Sequence, residues 1–401
     1  MNAFRSMTEQ PALEIRTLRR HLRRVLVVSH VGDNRHKNGG SVYTRSLLEL
    51  IKMGCPSVEI DLRFFTGQVA PIVRQWRQAK ALMRATFAHW PSKALYFQSQ
   101  AFADQLVAQL GIGSYDLVVL DHAEMLWCRE HIPSGIPVVA VAHNIESRIY
   151  EQFLAHRPIS RRILRRDLLK YQRFELEQLS RVGSVVAISS HDATALRQAI
   201  PGVEIIVVPP TFSYAPANRS PHVRQPLRVG LLGNFDWWPN RDAYRWFVEE
   251  VWQHLEGDSE LHVFGPYSTA LPRATRTMLH GFLDNINDVW NGVDLMVNPI
   301  VSGSGVNVKV AEAIYNGLPM LCTPTAVAGL LESPDPAIVI LERPEDWRRV
   351  LGGNDAVALA HRSPQLSTRM HVEARTHAER LAAFLDGVIA RSGPQRTVTK
   401  R

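Results

Sequence analysis

The first half of the chain alternates between short apolar runs and longer segments with helical periodicity. The apolar runs cover 24–30, 115–120, 137–142, 184–189 and 204–208, and helical patterns include 41–53 and 63–100. Continuous apolar runs of this length are typical of parallel strands buried on both faces. The pattern therefore predicts an α/β domain built on a parallel sheet.

The second half repeats this alternation after a segment rich in proline, serine and asparagine. Strands are predicted at 228–232, 261–265, 278–283, 294–299 and 337–341, with helices at 241–255, 286–291, 306–316, 344–359 and 365–389. Asn240 is the predicted N-cap of the 241–255 helix. We expect an N-terminal domain at 1–212, a linker at 213–226, a second domain at 227–390 and a polar tail at 391–401.

One stretch, 294–330, combines an apolar run, a glycine loop, a helical segment and a second apolar run. Gly303 and Gly305 would let the backbone approach a ligand closely, and the start of the following helix favours a phosphate. Lys309 could add a positive charge, and Glu312 could accept hydrogen bonds from sugar hydroxyls. The alternative is a tight βα turn followed by a solvated glutamate.

The same stretch, GSGVNVKVAEAIYNGLPMLCTPTAVAGL, closely resembles the donor-binding segment of GT-B glycosyltransferases of family 4. The family commonly has two glutamates here; the second corresponds to Glu312, which the resemblance implies binds ribose, and the first corresponds to Ser304, a departure at the sugar end. The resemblance further implies a GT-B fold, in which two Rossmann-like domains face an interdomain cleft. It also implies that the 365–390 helix packs back on the first domain.

The candidate site residues follow from the residue pattern and from the family resemblance. VAVAHNIE resembles the family's active-site histidine context, so His143 and Glu312 are the candidate catalytic residues. His122 also ends a predicted strand, but it has no such motif and is interpreted as an ordinary loop histidine. The candidate donor-binding residues are Gly39, Gly40, Asn234, Phe282, Leu283, Gly303, Ser304, Gly305, Val306, Asn307, Lys309 and Glu312.

The loop after the 228–232 strand departs from the family pattern. Asn234 and Pro239 stand where many members carry an arginine and a lysine that clamp the diphosphate. The hypothesis is that Lys309, with or without Arg241, replaces this clamp together with the backbone amides of residues 303–306. Trp237 and Trp238 in the same loop could contact the ligand or only pack.

The resemblance implies a retaining glycosyltransferase that moves a sugar from a nucleotide-sugar donor to a lipid-linked, polysaccharide or other glycan precursor. It implies no cofactor and no obligatory metal, and the chain has no DxD motif. Two alternatives remain: a nucleotide-sugar epimerase of the same architecture, and a catalytically inactive GT-B partner subunit. No nucleic-acid partner is expected.

Composition and charge bear on the cellular compartment and on a basic segment that could contact a membrane. Three scattered cysteines without CxxC spacing argue against a disulfide framework, and no apolar leader is evident, so we expect a cytoplasmic protein. The net charge of +8 is uneven, with nine basic and five acidic residues in 146–181. This segment could contact an anionic membrane, at the inner face of the cell membrane, or be a solvated helix face.

Aromatic and basic residues also alternate within 63–100, where Trp76, Met83, Phe87 and Trp90 are interleaved with Arg74, Arg77, Lys80 and Arg84. Such a helix can contact lipid or an acceptor. We expect instead that its large apolar side chains belong to the core and its rim.

Overall fold

The computed structural model describes residues 22–30, 39–65, 71–155, 157–219, 222–302, 306–331 and 333–392. These residues form two six-stranded sheets in which each pair of neighbouring strands is parallel. The fold is thus α/β with two Rossmann-like units, as the sequence pattern predicts. No helix within the described ranges is long and apolar enough to span a membrane.

The first sheet has the strand order β2-β1-β3-β4-β5-β6. Its strands are β1 Arg24–Ser29, β2 Glu59–Phe64, β3 Leu117–Asp121, β4 Val138–Ala142, β5 Ser184–Ala187 and β6 Glu204–Val207. Its helices are α1 Gly39–Gly54, α2 Pro71–Phe87, α3 Ser92–Phe97, α4 Gln100–Ile112, α5 Glu146–Ala155, α6 Pro158–Val182 and α7 Ser190–Ala199, with a 3₁₀ segment at Ala123–His131.

Two features of this half differ from the sequence predictions. The strand β2 was not predicted, because its sequence EIDLRF alternates polar and apolar residues at a half-exposed sheet edge. The helix predicted at 41–53 begins two residues earlier, because Gly39 and Gly40 are the first two residues of α1.

The second sheet has the order β12-β11-β10-β7-β8-β9. Its strands are β7 Arg228–Leu232, β8 Glu260–Phe264, β9 Thr277–Gly281, β10 Leu295–Asn298, β11 Met320–Cys322 and β12 Ile338–Ile340. Its helices are α8 Trp238–Trp246, α9 Asn287–Gly292, α10 Val308–Tyr315, α11 Pro324–Val327, α12 Pro344–Leu351, α13 Asn354–Ala360 and α14 Gln365–Arg391. Short π and 3₁₀ turns at Phe247–Val251 and Trp252–His254 follow α8, and another 3₁₀ turn lies at Ser268–Ala270.

The predicted N-cap of the first helix in this half is wrong. The helix α8 begins at Trp238, with Trp237 as its N-cap and Pro239 in its first turn, where a missing N–H carries no penalty. Asn240 therefore lies inside the helix, and its side chain bonds elsewhere.

The long C-terminal helix α14 packs against α1 of the first half. A Cβ atom built on Gly54 of α1 would lie 2.5 Å from the Ala378 carbonyl oxygen and 2.9 Å from the Ala382 Cβ. A glycine at this position therefore permits the close approach of the two helices. The contact connects the end of the chain to the first sheet.

Each sheet has a topological switch point, where the chain leaves one strand and continues on either side of it. In the first sheet β1 lies between β2 and β3, and in the second β7 lies between β8 and β10. Ligands of open α/β sheets bind outside the carboxyl ends of the strands at such points. From the strand order we therefore expect a ligand site at the carboxyl ends of β1, β3, β7 and β10.

Candidate functional site

The two switch points open into one cleft with a volume of about 1010 Å³. The cleft brings together candidate residues from both halves of the chain. Those that line it are Gly39, Gly40, His143, Asn234, Phe282, Leu283, Val306, Asn307, Lys309 and Glu312. Gly303, Ser304 and Gly305 lie outside the described residues, so their proposed role in binding a phosphate stays a prediction.

Asp121, at the end of β3, organises the first-sheet wall of the cleft. Its Oδ2 accepts hydrogen bonds from the Ser29 hydroxyl at 2.7 Å and from the Thr44 hydroxyl at 2.8 Å. Its Oδ1 lies 2.7 Å from Nε2 of His143, at the end of β4. Because the carboxylate is fully buried and held by three elements, it fixes the orientation of the His143 ring.

His122 belongs to the same wall, contrary to its interpretation as an ordinary loop histidine. It adopts a left-handed backbone conformation with φ 77°, and its ring stacks on that of His143 with centroids 3.5 Å apart. Its Nδ1 lies 3.1 Å from Asp121 Oδ2. The available sequence signal was its position directly after the last residue of a buried strand.

The pKa values of the two histidines are shifted in opposite directions. Burial alone would lower the pKa of His122, but the Asp121 carboxylate outweighs burial and raises it. Burial lowers the pKa of His143, and the neighbouring His122 lowers it further. Burial acts to raise the pKa of Asp121, yet the two imidazoles hold it well below its usual range. His143 is therefore the neutral imidazole of the pair, and its Nε2–H donates to Asp121.

A second, partly buried charge cluster lies beside the histidines. Lys93 Nζ lies 2.7 Å from Glu124 Oε1 and 2.6 Å from Glu146 Oε2, and all three residues line the cleft. Glu124 Oε2 is buried and accepts no hydrogen bond from the described residues. The sequence interpretation did not identify this cluster, because its members come from α3, the following 3₁₀ segment and α5.

Lys309, in the first turn of α10, dominates the second-sheet wall. Its Nζ donates to Asn240 Oδ1 at 2.5 Å, and Asn240 Nδ2 donates to the Asn234 carbonyl oxygen at 2.8 Å. Burial lowers the pKa of Lys309 to about 7. Arg241 does not join it, because its guanidinium donates to the carbonyl oxygens of Phe235 and Asp236. The part of the clamp hypothesis that includes Arg241 is thus not supported.

Glu312 lies one turn further along α10 and is nearly buried, with 7% of its surface exposed. The Tyr214 hydroxyl donates to Glu312 Oε1 at 3.0 Å and accepts a hydrogen bond from Asn316 Nδ2 at 3.1 Å. Burial raises the pKa of Tyr214, and the Glu312 charge raises it further. The carboxylate is therefore held in a fixed orientation toward the cleft.

Side chains from the two halves also touch across the cleft. The Phe153 ring packs edge to face on Trp238 at 5.7 Å, and the Arg157 guanidinium lies 4.1 Å from the Phe153 centroid and 5.6 Å from that of Trp238. A Cβ on Gly329 would lie 2.9 Å from the Ser189 Cβ. Both tryptophans line the cleft: Trp238 packs against Phe153, and Trp237 is 41% exposed.

Asp121, His122 and His143 place their ligand atoms within 4.8 Å of one another, close enough for a metal ion. The donor set fits a metal poorly, however, because the Asp121 oxygens already accept hydrogen bonds from Ser29, Thr44 and His143. A histidine that donates Nε2–H has no lone pair on that nitrogen for a metal. The expectation of no obligatory metal stays a prediction.

The fold of this protein is shared with known structures. The chain is similar to the solved structures of HepE from Anabaena in complex with UDP-glucose (14% identity, 92% of this chain and 98% of that chain, TM-score 0.53) and of sucrose-phosphate synthase from Thermosynechococcus elongatus (14%, 92% and 94%, 0.55). It is also similar to TarM of S. aureus (10%, 92% and 97%, 0.57). These matches confirm the GT-B fold.

Sequence comparison finds a family model that matches part of the chain. Residues 226–352 match the family model of glycosyl transferases group 1, and this segment carries Lys309 and Glu312. No curated protein matches the chain. Residues 226–352 therefore resemble a glycosyl transferases group 1 domain, and this match agrees with the family resemblance and the enzyme class drawn from the sequence.

Proposed function

We propose that this protein is a retaining glycosyltransferase that moves a sugar from a nucleotide-sugar donor to a glycan, polysaccharide or lipid-linked acceptor. One observation carries the proposal: Lys309 and Glu312 on α10 and His143 after β4 line the same cleft. A cation, a fixed carboxylate and a neutral imidazole are the groups needed to hold a diphosphate, hydroxyl groups and a transferred sugar. The comparison structures with UDP-glucose and UDP make uridine nucleotides the first donors to test.

In the proposed complex, Glu312 accepts hydrogen bonds from the ribose hydroxyls, and Lys309 pairs with the diphosphate. Phe282 and Leu283, which follow the edge strand β9, contact the base. Negative charge grows on the leaving diphosphate as the glycosidic bond breaks, and a cation already in place stabilises it without rearrangement. Lys309, which donates to a neutral amide, suits this role because its charge is not already cancelled.

Retention requires that the acceptor attack the face from which the diphosphate departs. The carboxylate nearest to His143, Asp121, accepts three hydrogen bonds and is buried beneath the imidazoles. This arrangement supports a mechanism without a covalent carboxylate intermediate. His143, kept neutral, hydrogen-bonds the transferred sugar rather than attacking it.

In the proposed complex, the acceptor binds at the first-sheet end of the cleft. Lys93, Glu124, Glu146 and Arg148 line that end and offer both donors and acceptors to a hydroxyl-rich molecule. The TarM complex contains fondaparinux and α-GlcNAc-glycerol besides UDP, so a fold of this type accommodates glycans. A cytoplasmic location is part of the proposal and agrees with the free thiols of Cys55, Cys128 and Cys322.

The proposal is tested by incubating the full chain with UDP-, GDP- or TDP-sugars and a panel of glycan and lipid-linked acceptors. Release of nucleoside diphosphate that depends on acceptor, with the product's anomeric configuration unchanged by NMR, is the expected result. An isomerised donor formed without acceptor would instead identify an epimerase. No release from any donor that binds would identify an inactive partner subunit, and inversion would overturn the retaining mechanism.

A further inference from the structure

The helix α2 presents a continuous apolar stripe to solvent, contrary to the expectation that its large side chains are core and rim. Trp76 is 73% exposed, Met83 65% and Phe87 94%. With Ile72 and Ala79 they recur every three or four residues along the whole helix. Of the aromatic residues that the sequence placed in the core, Trp90 beyond the helix is the buried one.

The geometry of α2 separates three faces. At 100° per residue the stripe of Ile72, Trp76, Ala79, Met83 and Phe87 occupies an arc of about 80° and extends about 22 Å along the helix. The small residues Ala81 and Ala85 fall on the opposite side and are buried against the protein. The apolar stripe therefore points directly away from the fold. Soluble monomers seldom expose a contiguous apolar surface of this length without using it.

Basic residues flank the stripe on one side. Arg77, Lys80 and Arg84 project from the adjoining arc, and the sequence of α2 contains no acidic residue. Trp, Phe and Met on one face with Lys and Arg beside them are typical of helices that lie in the interface of an anionic membrane. With basic residues and no acidic residue, α2 is complementary in charge to a uniformly anionic surface such as an anionic membrane.

The helix α6 contacts the C-terminal end of α2. Lys170 Nζ donates to the carbonyl oxygens of Ala85 and Ala88 at the end of α2, both at 2.6 Å. One and two turns before Lys170 on the same side of α6 lie Arg166 and the exposed Ile163, with exposed Ile159 beyond them. Part of the 146–181 segment thus lies beside the C-terminal end of α2.

We propose that α2, with the first turns of α6, is a docking surface for an anionic lipid membrane. The apolar stripe enters the acyl boundary, and the flanking cations pair with lipid phosphates. At the other end of α2, Arg74 pairs with Asp236 at 3.1 Å, and Asp236 lines the cleft. Arg74 projects from the protein-facing side of α2, so the docking helix lies beside the cleft. The proposal rests on the exposed faces alone and holds for any donor or acceptor.

The test is flotation of the purified full chain, without sugars, with phosphatidylcholine vesicles that contain or lack phosphatidylglycerol. The wild-type protein is expected to float with the anionic vesicles and weakly with the neutral ones. The double variant Trp76→Ser/Phe87→Ser should bind at least about tenfold more weakly. Lys80→Ser/Arg84→Ser should lose about 25-fold on anionic vesicles and little on neutral ones, since each basic residue near the surface contributes about fivefold.

The matched control is Val372→Ser on α14, because Val372 is also 73% exposed but lies on a different helix. It should bind like the wild type, and all variants should keep the wild-type melting temperature. Brominated lipids should quench part of the tryptophan fluorescence, and Trp76→Phe should remove that part. Failure of the folded wild type to float with either vesicle would overturn the proposal, as would equal binding by Trp76→Ser/Phe87→Ser and Val372→Ser. Self-association that Trp76→Ser/Phe87→Ser abolishes, without vesicle binding, would assign the stripe to a second copy instead.

Discussion

In the first-sheet wall of the cleft the charged groups pair with one another, whereas in the second-sheet wall the cation Lys309 donates to a neutral amide. Asp121 is held by Ser29, Thr44 and His143, and Lys93 lies between two glutamates. Lys309 instead donates to the neutral amide of Asn240. A network whose charges are paired with one another orients groups, while a desolvated cation beside a neutral amide gains most from an anion that arrives from outside. The difference assigns positioning to the first wall and anion binding to the second.

The largest effect is expected from Asp121→Asn. The amide keeps the shape of the side chain but loses the charge that orients His143 and raises the pKa of His122. Turnover should fall about 100-fold or more, and the acid limb of the pH profile should move because His122 loses its carboxylate.

The control for Asp121 lies at the other end of the same strand. Asp116→Asn retains an oxygen that can accept from the amides of Arg23 and Arg24, far from the cleft. It should keep turnover within about threefold. Equal losses in the two variants would remove the special role of the first wall.

The next effect concerns the second wall. Lys309→Met removes the cation but keeps a chain of similar length, so affinity for a nucleotide sugar should fall about 10- to 100-fold, as expected for a charged hydrogen bond worth about 1.5–3 kcal/mol. Calorimetry measures this loss directly. Lys52→Met, on the exposed side of α1, is the control and should bind like the wild type. Unchanged affinity in Lys309→Met would refute the idea that this lysine replaces the missing clamp.

A smaller effect should appear as pH dependence. Because the pKa of Lys309 is lowered to about 7, the side chain is cationic below that pH and becomes neutral above it. Binding of a sugar diphosphate requires the cation, so affinity should weaken by up to about tenfold per pH unit above about 7. The sugar-linked diphosphate does not itself titrate in this range. The slope should vanish in Lys309→Met, and a slope retained in that variant would assign it to another group.

The smallest effect is expected from Tyr214→Phe. The variant loses the hydrogen bond that fixes Glu312 but leaves the carboxylate in place. KM for the donor should rise about three- to tenfold with kcat little changed, since one hydrogen bond to a charged group is removed from a side chain that keeps other contacts. Tyr267→Phe, at an exposed tyrosine, serves as the control. A fall in kcat alone would contradict a positioning role in donor binding.

Local pattern was sufficient for the parallel strands and for the helix that carries Lys309 and Glu312, because these elements are continuous in sequence. It failed for β2, whose alternating residues reflect an exposed edge. It also failed for Asn240, whose amide bonds Lys309 69 positions away rather than capping its own helix.

The first wall was the least predictable part of the site. His143 had a family motif, but Asp121 gains its role from a hydroxyl at Ser29, 92 positions earlier in the chain. His122 gains its role from stacking on a residue of the neighbouring strand. The exposed α2 stripe was missed for a related reason: helical periodicity reveals an apolar face but not which side of the helix meets the protein.

The most direct test is a thermal-shift screen of the full chain against UDP-, GDP- and TDP-sugars, repeated with the best donor on Glu312→Gln and, as a control, on the exposed Glu379→Gln. We predict that at least one donor raises the melting temperature by mass action, that Glu379→Gln keeps the shift and that Glu312→Gln loses most of it. No shift with any donor, or an equal shift in the two variants, would contradict nucleotide-sugar binding at α10.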